Sequence, residues 1–187
     1  IVKISQIFQH NYNFHRLNNI HLFFMKIIII TGPSGSGKTS LAKKLMVELK
    51  NCHIVSTDDF YKTGKISNLL SKFIKSYFDR NISHNGKLLK KTINTILKNK
   101  EINYSLKYDF IRKRTEVKYI KSLDIKNLII EGIFTLELLK FISGNDYLLI
   151  RLKINKDVCM RRIKERDHIK RGKSKRKSIE DFIKAWN

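Results

Sequence analysis

An α/β fold, with a parallel sheet flanked by helices, is what this sequence predicts, and three observations predict it. Short aliphatic runs without polar alternation, Ile27-Ile28-Ile29-Ile30, Leu128-Ile129-Ile130 and Leu148-Leu149-Ile150, read as strands buried on both faces. Apolar residues at helical spacing, such as Leu41, Ala42, Leu45 and Leu49, fill the stretches between them. The first strand also runs straight into a glycine-rich segment that opens the first helix, which is the framing of a βαβ unit.

That segment, Gly32-Pro33-Ser34-Gly35-Ser36-Gly37-Lys38-Thr39-Ser40, fits G-x-x-x-x-G-K-[ST]. Its glycines let backbone N–H groups turn inward on phosphate oxygens, Lys38 can reach the β- and γ-phosphates, and the Thr39 hydroxyl can sit on Mg²⁺. The helix that follows presents its positive end to the same anion. A strand over 53–56 then ends in Thr57-Asp58-Asp59-Phe60-Tyr61. Helices are predicted over 67–78 and 86–98, and 104–114 reads as a loop. A buried strand follows over 127–132, a short helix over 136–141 and a strand over 147–154. From Lys156 to Lys177 the chain is helical and strongly basic, and a further helix opens at Ser178, with Asp181 completing a capping box. These elements together describe a three-layer P-loop NTPase fold, a parallel sheet between helices with a basic lid segment.

Composition bounds the rest. With 187 residues, 42% of them hydrophobic, the chain can bury one α/β core but not two ordinary domains. The richest apolar stretch, 20–30, is too short for a membrane span and is interrupted by Lys26, so no membrane association is expected. Cys52 and Cys159 are isolated and lack metal-ligand spacing, which fits reduced thiols in a cytoplasmic enzyme. A formal charge of +23 invites a nucleic-acid reading. Yet Lys87, Lys90, Lys91, Lys98 and Lys100 carry no interleaved aromatic pattern, and Lys, Ile and Asn are abundant throughout, so compositional bias explains the charge better. The chain begins at Ile1, Met25 stands directly before the first strand, and residues 1–24 lack acidic residues and any clear period. Residues 1–24 therefore read as a non-native or disordered extension, and 25–187 as the folded domain.

Two carboxylate positions fall at the C-terminal ends of predicted strands, the edge where open α/β sheets bind ligands. Asp58, with Asp59 beside it, can orient an acceptor hydroxyl and take its proton, or offer oxygen to a metal, and one of the two adjacent aspartates can point toward the phosphate loop while its neighbour points away. Glu131, ending an apolar strand beside the phosphate loop, suits a Mg²⁺ site together with Thr39. A third group, Arg161, Arg162, Arg166 and Arg171 with Asp167 and Gly172, suits a segment that closes over transferring phosphoryl groups.

The phosphate loop, Ser56-Thr57-Asp58-Asp59-Phe60-Tyr61, Tyr108-Asp109-Phe110, Ile130-Glu131-Gly132-Ile133 and Arg166-Asp167 followed by Arg171-Gly172 occur in one order. In this the chain, from Lys26 to about Asn187, resembles the uridine kinase family within the wider phosphoribulokinase and uridine kinase group. The resemblance implies that Asp58 is the base for a ribose 5′-hydroxyl and Glu131 a magnesium-site residue. It further implies that Tyr61 belongs to the substrate site, Asp79 binds ribose hydroxyls, Tyr108 and Phe110 frame a nucleobase, and Arg166 and Arg171 act from a lid. Four departures stand beside it. Ile111-Arg112-Lys113-Arg114 replaces the stretch where the family has a base-contacting histidine, and Arg80-Asn81 replaces His-Pro after Asp79. One extra residue separates Arg162 from Arg166, and the family's last helix and strand are not matched.

The expectation is an ATP- and Mg²⁺-dependent kinase that phosphorylates a primary hydroxyl of a small molecule, with uridine or cytidine the favoured acceptor. Lys38, Asp58, Arg166 and Arg171 would be catalytic, and Thr39, Asp58 and Glu131 would hold the metal. The lost histidine keeps other alcohols open, among them nicotinamide riboside, pantothenate and sugar phosphates. From a different class, a truncated nucleotide-binding protein with a nucleic-acid role also stays open. Many relatives form oligomers, so self-association is a further open expectation.

Overall fold

A computed structural model describes residues 3–8, 25–74, 77, 80–142 and 144–186. Among the described residues, seven strands run in chain order: β1 (Lys3–Phe8), β2 (Lys26–Thr31), β3 (Cys52–Ser56), β4 (Glu101–Asp109), β5 (Arg114–Asp124), β6 (Asn127–Glu131) and β7 (Tyr147–Lys153). Five α-helices accompany them: α1 (Lys38–Glu48), α2 (Lys65–Phe73), α3 (Gly86–Asn99), α4 (Lys156–Arg171) and α5 (Lys175–Trp186).

The main sheet has the order β1-β7-β2-β6-β3. The four strands from β7 to β3 are parallel. Their side chains alternate between two apolar layers, as strands buried on both faces require. Ile27 and Ile29 of β2 with Leu128 and Ile130 of β6 join Leu89, Ile93 and Ile96 of α3 in one core. Ile30, Ile129, Ile150 and Leu152 point to the other face, against Ala42, Leu41 and Leu45 of α1. The predicted three-layer architecture is the observed one, and it brings the C-terminal ends of β2, β3 and β6 to a common edge.

Several local expectations change. The segment 104–114 is not a loop: β4 and β5 form a separate antiparallel hairpin. Ile102, Tyr104, Leu106 and Tyr108 occur at every second residue, the period of a half-buried strand, and three of them pack into the core while Tyr108 joins an aromatic cluster. The helix predicted to 78 ends at Phe73, and the helix predicted over 136–141 is a short 3₁₀ turn, Thr135–Leu138. The basic lid is broken by Gly172 in a left-handed conformation (φ 62), where Lys173 and the Gly172 amide cap α4 on the Asp167 carbonyl. Consequently α5 begins at Lys175, not Ser178. Ser174 rather than Ser178 accepts the capping bond, from the Lys177 amide, while Ser178 is buried mid-helix and Asp181 pairs with Lys173 and Lys177.

The segment 1–24, expected to lie outside the fold, contributes a strand. Lys3–Phe8 pairs antiparallel with β7, whose outer edge would otherwise present a row of unpaired backbone groups. Residues 1–2 and 9–24, and Asp79 among the predicted substrate-binding residues, lie outside the described residues.

Candidate active site

The phosphate loop spans the turn between β2 and α1. Gly35 (φ 78) sits where a Cβ would come within 2.6 Å of the Cys159 carbonyl, so only glycine lets α4 pack directly on the loop. Arg162 extends from the same helix and donates to the Gly35 carbonyl at 3.3 Å. Lys38 is folded back on its own loop, its Nζ donating to the Gly32 and Pro33 carbonyls at 2.9 Å each. Burial lowers the Lys38 pKa below the ordinary lysine value, and the negative charges of Asp58 and Glu131 work against that shift. Arg166 adds a like charge that lowers it further, which brings the lid to within electrostatic reach of the loop.

Strand register builds the acidic patch. Glu131 at the end of β6 lies opposite Ile30 of β2 on one side and Ser56 of β3 on the other. Its Oε1 accepts from the Ser56 hydroxyl at 2.7 Å and from the Thr39 hydroxyl at 3.1 Å. Burial pushes the Glu131 carboxyl up, and the Ser56 hydroxyl and the Lys38 charge hold the shift in check. Asp58 lies in the 3₁₀ turn Thr57–Phe60 that follows β3. Its charge acts on Lys38 of the loop and on Glu131, His84 and Arg171. Among the described residues, Asp58 Oδ1 is buried and without a hydrogen-bond partner, as is Ser36 Oγ in the loop. A buried carboxylate oxygen with no donor is costly in isolation, and a cation or hydroxyl would satisfy it. Thr39, Glu131 and Asp58 are hard oxygen donors and fit Mg²⁺, which takes few protein ligands and keeps waters.

Tyr61, which follows the Asp58 turn, belongs to an aromatic cluster with Tyr108, Phe110 and Phe134. Tyr61 and Tyr108 rings are 5.2 Å apart, Tyr61 and Phe110 5.6 Å, Tyr108 and Phe110 5.0 Å, and Tyr61 and Phe134 6.2 Å. Burial pushes the Tyr108 hydroxyl up to about 12, so it stays protonated and can act as a donor. Arg171 from the lid stacks its guanidinium 3.8 Å from the Phe110 centroid. Asp167, almost fully buried, organises the lid cations: Arg166 donates to it at 2.8 Å, and Arg171 lies 3.5 Å away.

The predicted loop residues, Tyr61, Asp58, Tyr108, Phe110, Glu131, Arg166 and Arg171 thus line one continuous region at the sheet's C-terminal edge. Asp109 does not join it: the half-buried side chain accepts from the Ile111 and Arg112 amides at the hairpin turn. Residues that the sequence reading missed include His84, whose Nε2 lies 3.0 Å from the Thr57 carbonyl and whose ring stacks on Phe134 at 4.5 Å. Ser56 also belongs to the site, and its position at a strand end, directly opposite Glu131 in the register, is the signal that marks it.

The chain matches the phosphoribulokinase/uridine kinase family over residues 27–186. It is 31% identical over 165 residues to the uridine kinase of Borrelia duttonii (strain Ly), covering 86% of this chain and 76% of that protein. The uridine kinase of Borrelia hermsii (strain HS1 / DAH) is 31% identical over 163 residues, covering 85% and 75%. In fold, the chain is similar to a kinase of Silicibacter sp. TM1040 named for a fructose transport system, with a TM-score of 0.66 at 15% identity over 87% of this chain and 81% of the other. Motif order, sheet topology and these likenesses agree, and the chain is a P-loop phosphotransferase belonging to the phosphoribulokinase/uridine kinase family.

Proposed function

We propose that the chain transfers the γ-phosphoryl group of ATP to the 5′-hydroxyl of a pyrimidine ribonucleoside, uridine or cytidine. One observation carries the reading: the buried Oδ1 of Asp58 has no hydrogen-bond partner among the described residues, and its turn, Thr57–Phe60, runs directly into Tyr61 of the cluster of four aromatic rings. A carboxylate in that position can orient an acceptor hydroxyl and receive its proton while the rings hold a flat, neutral base. The curated relatives named uridine kinase support the acceptor class.

The loop amides of 32–40 and Lys38 bind the phosphates. Lys38 exchanges the Gly32 and Pro33 carbonyls for phosphate oxygens, which relieves an ammonium held in a buried place. Thr39 and Glu131, with Asp58 beside them, would hold Mg²⁺, which when bound neutralises phosphate charge. Ser56 fixes the Glu131 carboxylate in its orientation. Asp58 accepts the proton from the attacking hydroxyl, and Arg166 and Arg171 stabilise the charge spread over the transferring group. Because Arg171 rests on Phe110, lid and acceptor pocket share a side chain, and filling the pocket redirects the arginine toward the phosphates.

A phosphorylated acceptor would need free cations near the hairpin tip. There Arg112 is paired with Asp109 and Glu116, and Arg114 with Glu116, which favours a neutral acceptor. No helix among the described residues is long and apolar enough to cross a membrane. The test is ADP formation with ATP, Mg²⁺ and, in turn, uridine, cytidine, nicotinamide riboside, pantothenate and ribulose 5-phosphate. Turnover with uridine or cytidine is expected. Turnover confined to another alcohol would replace the acceptor and keep the chemistry.

A further inference from the structure

Asp58 and Asp59 are adjacent in sequence but differ in surroundings: the charge of Asp58 acts on Lys38 and Glu131, whereas the carboxylate of Asp59 is bonded to β4. Asp59 is buried, and its Oδ1 accepts the backbone N–H of Tyr108 at 3.0 Å. Lys107 Nζ lies 3.2 Å from the same oxygen and 3.4 Å from Oδ2. Both partners belong to β4, immediately before Tyr108 and Phe110 enter the aromatic cluster.

This contact matters because, among the described residues, the hairpin shares no ladder with the main sheet. Its inner residues Ile102, Tyr104 and Leu106 pack on the core, and its base is held by the Ile125 amide on the Lys100 carbonyl and the Lys126 amide on the Asn51 carbonyl, so the far half that carries Tyr108 needs a tie of its own. A hydrogen bond from a main-chain amide to a buried carboxylate is directional and strengthened by charge. It fixes one peptide of β4 against one peptide of the 3₁₀ turn, the turn whose previous residue is Asp58. Nothing in phosphate binding calls for a carboxylate here, since both oxygens of Asp59 are engaged by β4.

We propose that Asp59 is a positioning residue that registers Tyr108 and Phe110 of the acceptor pocket on the turn carrying Asp58. The role of the pocket rests on the acceptor reading given under Proposed function, whereas the tie between turn and hairpin does not. Asp59 thereby acts on acceptor binding and leaves the phosphate loop untouched.

The experiment compares the full chain with Asp59→Ala, Asp59→Asn and Lys107→Met. It reads the KM for uridine, the KM for ATP, and hydrogen exchange at the Tyr108 amide by NMR. Asp59→Ala is expected to raise the uridine KM about tenfold and to speed Tyr108 exchange by a similar factor, the loss of one charge-assisted bond. The KM for ATP is expected to stay within about twofold of the parent value. Asp59→Asn keeps a carbonyl oxygen for the Tyr108 amide and should recover most of both effects. Lys107→Met, which removes a largely exposed ion pair, should change either by about twofold at most. Equal rises in both KM values, or unchanged Tyr108 exchange in Asp59→Ala, would overturn the proposal. If Asp59→Ala does not fold, Asp59→Asn decides: loss of Tyr108 protection there would overturn it, and retained protection supports it. If the parent turns over no acceptor, the functional reading fails while the exchange measurement still judges the tie.

Discussion

Replacing Gly132 by alanine asks whether the end of β6 and the Asp58 turn form one rigid unit. Gly132 has φ 138, and a Cβ built there overlaps Thr57 Oγ1 and comes within 2.9 Å of Thr57 Cβ. Thr57 cannot yield: it is fully buried, and its carbonyl is held by His84. The positive φ costs an L-residue about 1–2 kcal/mol, and a methyl forced into filled space about 1–3 kcal/mol more. Gly132→Ala should therefore lose about 2–5 kcal/mol, a large share of the ~5–15 kcal/mol that holds a domain folded. Thr57→Ala removes the overlapping hydroxyl, which has no hydrogen-bond partner, so alone it should change stability by no more than about 1 kcal/mol. Combined with Gly132→Ala it should restore the steric share but not the backbone share, a coupling of about 1–3 kcal/mol. Urea unfolding of the four proteins, compared at constant m, measures this. Additivity within about 0.5 kcal/mol would refute the steric argument and with it the idea that Glu131 and Asp58 are held together through Gly132 and Thr57.

Three other expectations follow from the site and its lid. Asp58→Asn should lower kcat by about 10²- to 10⁴-fold with ATP binding retained, measured as ADP formation beside nucleotide titration; near-parental turnover would remove Asp58 from the base role. Glu131 carries a carboxyl whose pKa is raised by burial, so its charge is a cost to the metal-free fold at neutral pH. Glu131→Gln should accordingly raise Tm without Mg²⁺ while requiring roughly 10- to 100-fold more Mg²⁺ for turnover, and a lowered Tm would contradict the sign. Burial alone would raise the Asp181 pKa, but the hydrogen bonds and charges of Lys173 and Lys177 outweigh it and hold the carboxyl below its ordinary value. Its contribution is therefore complete above the unfolded carboxylate pKa of about 4 and is lost as pH falls through the lower folded value. Asp181→Asn should flatten that acid limb by less than about 1 kcal/mol in acid-unfolding curves, given the side chain's partial exposure.

What could be read from the sequence divides along physical lines. The strands β2, β6 and β7 were legible because parallel strands buried on both faces become unbroken aliphatic runs, as in Ile27-Ile28-Ile29-Ile30. The phosphate loop was legible because its backbone geometry demands glycines at fixed spacing. The β4–β5 hairpin was not read, since Lys107, Arg112, Lys113 and Arg114 crowd its tip and mask the alternation of Ile102, Tyr104, Leu106 and Tyr108. Lys113 turns it with φ 52, a conformation usually signalled by glycine or asparagine. Which of two adjacent aspartates faces the phosphates depends on how the 3₁₀ turn follows β3, and composition carries no trace of that. His84 comes from a segment without a motif, and it reaches Thr57 only because the Ser83 carbonyl and the Asn85 amide are bonded to Lys62 and Phe60. The edge strand β1 escaped because its partner, β7, is distant in sequence and a pairing edge leaves no periodic mark.

The most direct test of the account follows the γ-phosphoryl group itself. The protein is incubated with ATP, Mg²⁺ and either uridine or 5′-deoxyuridine, and the products are identified by ³¹P NMR. A phosphate ester on the 5′-oxygen of uridine is expected, with ADP formed in equal amount, and no ester with the analogue that lacks this hydroxyl. An ester at another position, or ADP formed at the same rate with both nucleosides, would contradict it.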